Sequence, residues 1–257
     1  MIAGFHGNAD PLMIFFLLAA ILSAERGWSP WLTGLCFGLA LNVKILPVFL
    51  LPAFWFTLSG WRERWPWATA IAVTSLVWWL PYLMQDPALV LKATFSYNSL
   101  PGIWGAGYLL RGTGLFIIYS LYAKYGILLL AAILAWWTNR DSQQLSLFEL
   151  CGMTLFLFLF LTPGFGVQYL YWLIPWAAVL GWRTHLLHWL AAGAFLLAVY
   201  TFWSGGLPWG FADSPRRGIW HGATQGLQLL AWASTAHVLI AYHQRFGRIP
   251  APSAIGS

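Results

Sequence analysis

The chain has 257 residues, of which 60% are hydrophobic and 8% charged, against roughly 25% charged in an ordinary soluble domain. That shortage excludes a water-soluble enzyme of common composition and a disordered chain. The 13 basic residues stand singly or in pairs, with no stripe that could follow a nucleic-acid backbone, so no nucleic-acid partner is expected and the remaining class is an all-α, polytopic membrane protein.

Apolar runs at 11–24, 28–43, 45–59, 67–83, 115–137, 146–162, 166–182, 186–203 and 219–242 predict a bundle of about eight or nine apolar helices, since a span takes about 20 residues. The first three runs are short, and broken or partly re-entrant segments are expected there. Residues 1–242 read as a single transmembrane helical domain and 243–257, with Pro250 and Pro252, as a cytoplasmic tail. Cys36 and Cys151 lie inside apolar runs and read as small core hydrophobes.

In chain order, the first polar feature is His6-Gly7-Asn8-Ala9-Asp10-Pro11, at the mouth of the first run. Pro11 suits a helix's first turn, where the carboxylate of Asp10 would meet orphan N–H groups. The other reading makes Asp10 and His6 a polar constellation at a reaction centre, with Asp10 as base or metal ligand and His6 donating to a phosphate oxygen. The second run carries Gly34-x-x-x-Gly38, a spacing that lets two helices approach closely. Lys44, in Asn42-Val43-Lys44-Ile45-Leu46-Pro47, stands between two apolar runs and must snorkel, pair, or meet the phosphate of a lipid-linked ligand.

Residues 87–95 suit a short interfacial helix. The 96–111 stretch sets Tyr97, Asn98 and Trp104 among glycines, where aromatics either form a platform for a sugar or isoprenoid or serve as an interfacial belt. Arg111 at its end suits bidentate contact with a phosphate. Pro163 and Gly164 open a turn leading to Gln168, Tyr169 and Trp172; on an α-helix Gln168 and Trp172 would share a face. His185 and His188 read as non-functional. Gly218, Gly222 and Gly226 form a second small-residue stripe, read as helix packing.

If every run crosses, Arg26, Arg62, Arg64, Arg140, Arg183, Arg245 and Arg248 share one side, and Lys44, Lys92, Arg111, Arg216 and Arg217 the other. The positive-inside rule makes the first side cytoplasmic. The opposite side then collects most of the unusual polar groups, which places a site on the extracytoplasmic face of a multi-pass membrane protein, the inner membrane in a bacterium. Phosphate-cradling loops, G-x-S-x-G elbows and H-E-x-x-H helices are absent from the sequence.

The order His6-Gly7-Asn8-Ala9-Asp10-Pro11, Gly34-x-x-x-Gly38-Leu39-Ala40, Lys44-x-x-Pro47, Leu51-Pro52 and Pro163-x-x-x-x-Gln168-Tyr169-x-x-Trp172 resembles the GT-C superfamily of membrane glycosyltransferases. The likeness spans most of 4–182 and is greatest to the mannosyltransferase-like branch that includes the GPI mannosyltransferases and bacterial relatives. It implies transfer of a hexose, mannose first, from a polyprenyl-phosphate donor to a hydroxyl of a glycan, lipid or protein acceptor. By that resemblance Lys44 and Arg111 serve the leaving phosphate, and Asp10 and Gln168 serve the acceptor or the sugar; together with the residue readings above, Asp10 and His6 are the expected catalytic pair, and Asn8, Lys44, Tyr97, Asn98, Trp104, Arg111, Gln168, Tyr169 and Trp172 are expected to bind substrate. No organic cofactor is implied; a divalent metal stays open. Family members carry spans and an acidic external loop ahead of the His-Gly-Asn segment, so this chain is expected to lack an N-terminal part of the pattern. The rival classes are a transporter or lipid flippase and a non-catalytic membrane assembly subunit.

Overall fold

The computed structural model describes residues 9–95, 100–140, 145–179, 182–203 and 220–246. They fall into two compact units, one drawn from Met1–Asn98 and Leu128–Leu155, the other from Ser99–Ile127 and Phe156–Arg248.

The first unit opens with α1 (Asp10–Glu25), which has Pro11 in its first turn, where a missing N–H costs nothing. Gly27, at φ 63°, turns the chain into α2 (Pro30–Val43), whose first residue is again a proline. The two helices run antiparallel. Ser23 and Thr33 share a hydroxyl hydrogen bond at 2.9 Å near one end, and Lys44 meets Asp10 at the other.

Both α1 and α2 are continuous, so of the three short runs only the third is broken. It becomes a 3-10 turn (Leu46–Leu50) followed by α3 (Leu51–Thr57), with Pro47 and Pro52 near the two starts. Five residues at about 2.0 Å and seven at about 1.5 Å rise roughly 20 Å, close to the roughly 21 Å of α2, so this piece carries the chain back along α2. Gly60, at φ 138°, then starts α4 (Trp61–Gln85).

Helix α4 lies parallel to α2. A methyl on Gly34 would come within 2.3 Å of the Trp67 carbonyl oxygen, and one on Gly38 within 2.9 Å of Thr74 Cβ. The Gly34-x-x-x-Gly38 spacing therefore does what it was expected to do. Helix α5 (Pro87–Phe95) covers the stretch expected to form a short helix.

The second unit contains one short bridge, β1 (Leu100–Pro101) antiparallel to β2 (Gly164–Phe165), with Leu100 opposite Phe165. After β1 comes α6 (Gly105–Leu110). Helices α7 (Gly114–Arg140) and α8 (Leu147–Leu161) contribute residues to both units. A 3-10 turn (Val167–Leu173) leads into α9 (Ile174–Val179). Helices α10 (Trp182–Trp203) and α11 (Ala223–Phe246) pack antiparallel, with His188 opposite Ser234 and Phe202 against His221. Trp104, Phe165, Phe195 and Trp220 fill this unit's core.

The second glycine stripe is corrected. Gly222 is in a left-handed turn (φ 64°) ahead of α11, and Gly222 and Gly226 have no atom within 4 Å of an added methyl. Gly218 lies outside the described residues. Cys36 and Cys151 are free thiols, the second buried.

The all-α class holds. Among the described residues, three helices are long and apolar enough to cross a membrane: Trp61–Gln85, Gly114–Arg140 and His185–Trp203. Helices Pro30–Val43 and Leu147–Leu161 are apolar but shorter; at about 1.5 Å per residue they fall well under the roughly 30 Å hydrocarbon layer. Outward-facing Val77, Trp78, Ile117, Ile118 and Leu129 on α4 and α7 are the side chains of lipid-facing helices.

Candidate functional site

The first unit sorts its charged groups by end. Because α1 and α2 are antiparallel and α4 runs parallel to α2, Asp10 and Lys44 sit at one end. Glu25, Arg26 and the start of α4 sit at the other. Glu25 Oε1 accepts from the Phe148 N–H at 2.8 Å, and Asn139 Nδ2 donates to the Phe56 carbonyl, which brings the start of α8 and the end of α7 to that second end.

At the first end, Lys44 Nζ donates to Asp10 Oδ1 at 2.7 Å. The Asp10 side chain is 3% exposed and that of Lys44 22%. Local structure explains both positions. Asp10 occupies the first turn of α1, where the helix dipole favours a carboxylate. Lys44 is the residue at which α2 stops: its backbone is extended (φ −159°, ψ 140°), which frees its side chain from the helix surface. The capping expectation for Asp10 is half right. It lies in the first turn, and its carboxylate turns to an ammonium 34 residues away.

Asn42 lies two residues before Lys44. Its Nδ2 donates to the carbonyls of Gly38 at 2.8 Å and Thr74 at 3.4 Å, joining α2 to α4. Its Oδ1 is buried with no hydrogen-bond partner. Thr74 was missed in the sequence; Thr69 and Ser75 stand in the same apolar run, and nothing in the sequence marks it out from them. The site thus offers a fixed ammonium with accessible surface, a buried carboxylate that holds it, and an unused amide oxygen close by in sequence.

The second unit holds other candidates. Arg111 follows α6 and is exposed; its backbone N–H donates to the Tyr108 carbonyl at 3.3 Å, and its side chain has neither a hydrogen bond nor an ion pair among the described residues. Its guanidinium is open to an anion. Trp104 corrects the platform expectation: it is fully buried, stacks on Phe165 at 4.0 Å, and donates through Nε1 to the Leu159 carbonyl at 2.8 Å. A platform needs a free face, and both the face and the polar edge of this indole are taken.

The shared face of Gln168 and Trp172 is also corrected. Their segment is 3-10, where residues three apart eclipse. Tyr169 accordingly stacks on Trp172 at 4.1 Å, and both are buried. The Gln168 amide instead lies over Gly166, where a methyl would come within 2.6 Å of it.

His6, Asn8, Tyr97 and Asn98 lie outside the described residues, as do all of the 204–217 stretch and residues 247–257 of the tail. Among the described residues no three His, Cys, Asp or Glu side chains converge. His185 and His188 prove to be buried, the latter with Nδ1 2.9 Å from Ser234 Oγ.

The sequence model of glycosyltransferase family 87 matches residues 3–163, a stretch that includes Asp10, Lys44, Trp104 and Arg111 and stops short of Gln168, Tyr169 and Trp172. No curated protein and no solved structure gives a significant match.

Proposed function

The chain belongs to glycosyltransferase family 87, membrane glycosyltransferases, and from that premise we propose that it transfers a hexose from a polyprenyl-phosphate donor to an acceptor hydroxyl at the extracytoplasmic membrane face. Mannose is the first choice of sugar, in keeping with the resemblance to the mannosyltransferase-like branch of the GT-C superfamily; the acceptor is a glycan, lipid or protein hydroxyl.

The observation that carries the reading is the Lys44–Asp10 pair. As the acceptor oxygen attacks C1 of the sugar, the bond from C1 to the lipid phosphate breaks and charge grows on the departing oxygen. A fixed ammonium beside that oxygen is stronger in the transition state than in the ground state, which is the condition for acceleration. Lys44 fills this role, held in place by Asp10; a phosphate role for Arg111, in the second unit, rests on the family resemblance alone. When the phosphate engages the ammonium, the Asp10 carboxylate is released to take the acceptor proton, with His6 donating to a phosphate oxygen. The outward orientation is supported by the arginines at the opposite end of the unit, Arg26, Arg62, Arg64 and Arg140, since the positive-inside rule favours the cytoplasm for such an end.

The test is turnover in proteoliposomes supplied with polyprenyl-phosphate mannose, glucose or galactose carrying labelled sugar, read as loss of lipid-linked label. Lys44→Ala is expected to lower kcat by about 10²- to 10³-fold. Unimpaired turnover in both Lys44→Ala and Asp10→Ala would overturn the site, and no turnover of any donor by the unaltered protein would overturn the donor class.

A further inference from the structure

The end of the first unit away from Lys44 carries its own unbalanced chemistry. Its described carboxylates are all engaged with backbone at helix starts. Glu25 Oε1 accepts from the Phe148 N–H, Glu63 Oε2 from the Ser59 N–H at 2.8 Å, and Glu149 Oε2 from the Ser146 N–H and hydroxyl at 3.1 Å. None of them lies within ion-pair distance of an arginine; among the described residues the recorded ion pair is Lys44–Asp10, at the far end.

The arginines rest on indoles instead. The Arg64 guanidinium lies 5.3 Å from the Trp55 ring centre, and that of Arg140 lies 5.3 Å from Trp136. Arg62 is exposed. Two donors one helical turn apart on α4, Arg64 Nε and Trp67 Nε1, are buried with no acceptor. Both atoms are closed to the surface, so a ligand there would meet the exposed guanidiniums of Arg62 and Arg140 and the outer nitrogens of the half-buried Arg64. Trp61 and Trp65 stack at 5.9 Å and are 59% and 63% exposed, presenting apolar rings beside these cations.

We propose that Arg62, Arg64 and Arg140, with Trp55, Trp61 and Trp65, form a binding surface for the headgroup of an anionic phospholipid. The phosphodiester supplies oxygens in the geometry a guanidinium fork accepts. The glycerol and upper acyl chains lie against the exposed indoles, which favour that depth of the bilayer. A soluble phosphate would satisfy the donors but leave the paired indoles unused, and this favours the lipid. The surface is independent of the Lys44 site and stands whether or not the donor reading does.

The test is native mass spectrometry of the full chain released from nanodiscs of equimolar phosphatidylglycerol and phosphatidylcholine. Phosphatidylglycerol is expected to be retained preferentially, with about a fivefold loss of preference for each arginine neutralised in Arg62→Gln and Arg64→Gln. The Trp61→Ala/Trp65→Ala variant, which leaves every arginine in place, is expected to weaken retention of both lipids and serves if the glutamine variants do not stay monodisperse. Equal retention of the two lipids by the unaltered protein, or an unchanged preference in both sets of variants, overturns the proposal. So does loss of the preference on adding millimolar inorganic phosphate, which would reassign the surface to a soluble anion.

Discussion

Replacing Asp10 with Asn keeps the shape of the side chain and removes its charge, so the Lys44 ammonium faces an amide. Truncating one partner of a fully buried pair costs about 3–5 kcal/mol, and an exposed pair is worth under about 1 kcal/mol. With Asp10 at 3% exposure and Lys44 at 22%, water reaches one member only, and the expected loss is about 2 kcal/mol, or roughly thirtyfold in the folding equilibrium. Each residue has further interactions, so the single change is not diagnostic by itself. A cycle with Lys44→Met isolates the pair: the double variant is expected to be more stable than the sum of the singles predicts by about 1–2 kcal/mol. Unfolding by steric trapping in bicelles measures all four corners. Additivity within about 0.5 kcal/mol would refute the claim that this ion pair ties the start of α1 to the end of α2.

Two further tests concern packing. Gly34→Ala puts a carbon 2.3 Å from a backbone oxygen that no side-chain rotation can move, so α2 and α4 must separate; the expected cost is about 1–3 kcal/mol by the same unfolding assay. The control is Gly126→Ala in α7, where the added methyl meets nothing within 4 Å and higher helix propensity is expected to stabilise by up to about 1 kcal/mol. Trp104→Phe keeps an aromatic against Phe165 but leaves the Leu159 carbonyl without its donor. About 1–2 kcal/mol of stability is expected to be lost with KM unchanged, whereas a raised KM at unchanged stability would restore the platform role.

Much of this architecture was legible in apolar periodicity. The run at 28–43 is α2, the run at 115–137 lies within α7, and 87–95 is a short helix. What escaped depends on partners distant in sequence. Lys44 and Asp10 could be assigned to one face by counting crossings, but their contact requires the antiparallel docking of α1 on α2. Trp104 stands among glycines as a platform would; the β1–β2 bridge and the Phe165 ring bury it. Gln168 and Trp172 were given α-helical spacing, and the chain takes the tighter 3-10 winding there, which moves residues four apart off a common face. The Gly218, Gly222 and Gly226 stripe presumed a helix that starts only at Ala223.

The close approach at Gly34 and Gly38 has a mechanical consequence. Backbones too near to admit a methyl cannot slide past one another, so α2 and α4 act as one stiff strut. Lys44 is where the strut ends, and the chain beyond it continues as a 3-10 turn, whose hydrogen bonds are of poorer geometry and yield more readily. Compliance therefore begins at the residue that carries the ammonium. If Lys44 is drawn away from Asp10, the Leu46–Leu50 turn is expected to flex before the α2–α4 strut does.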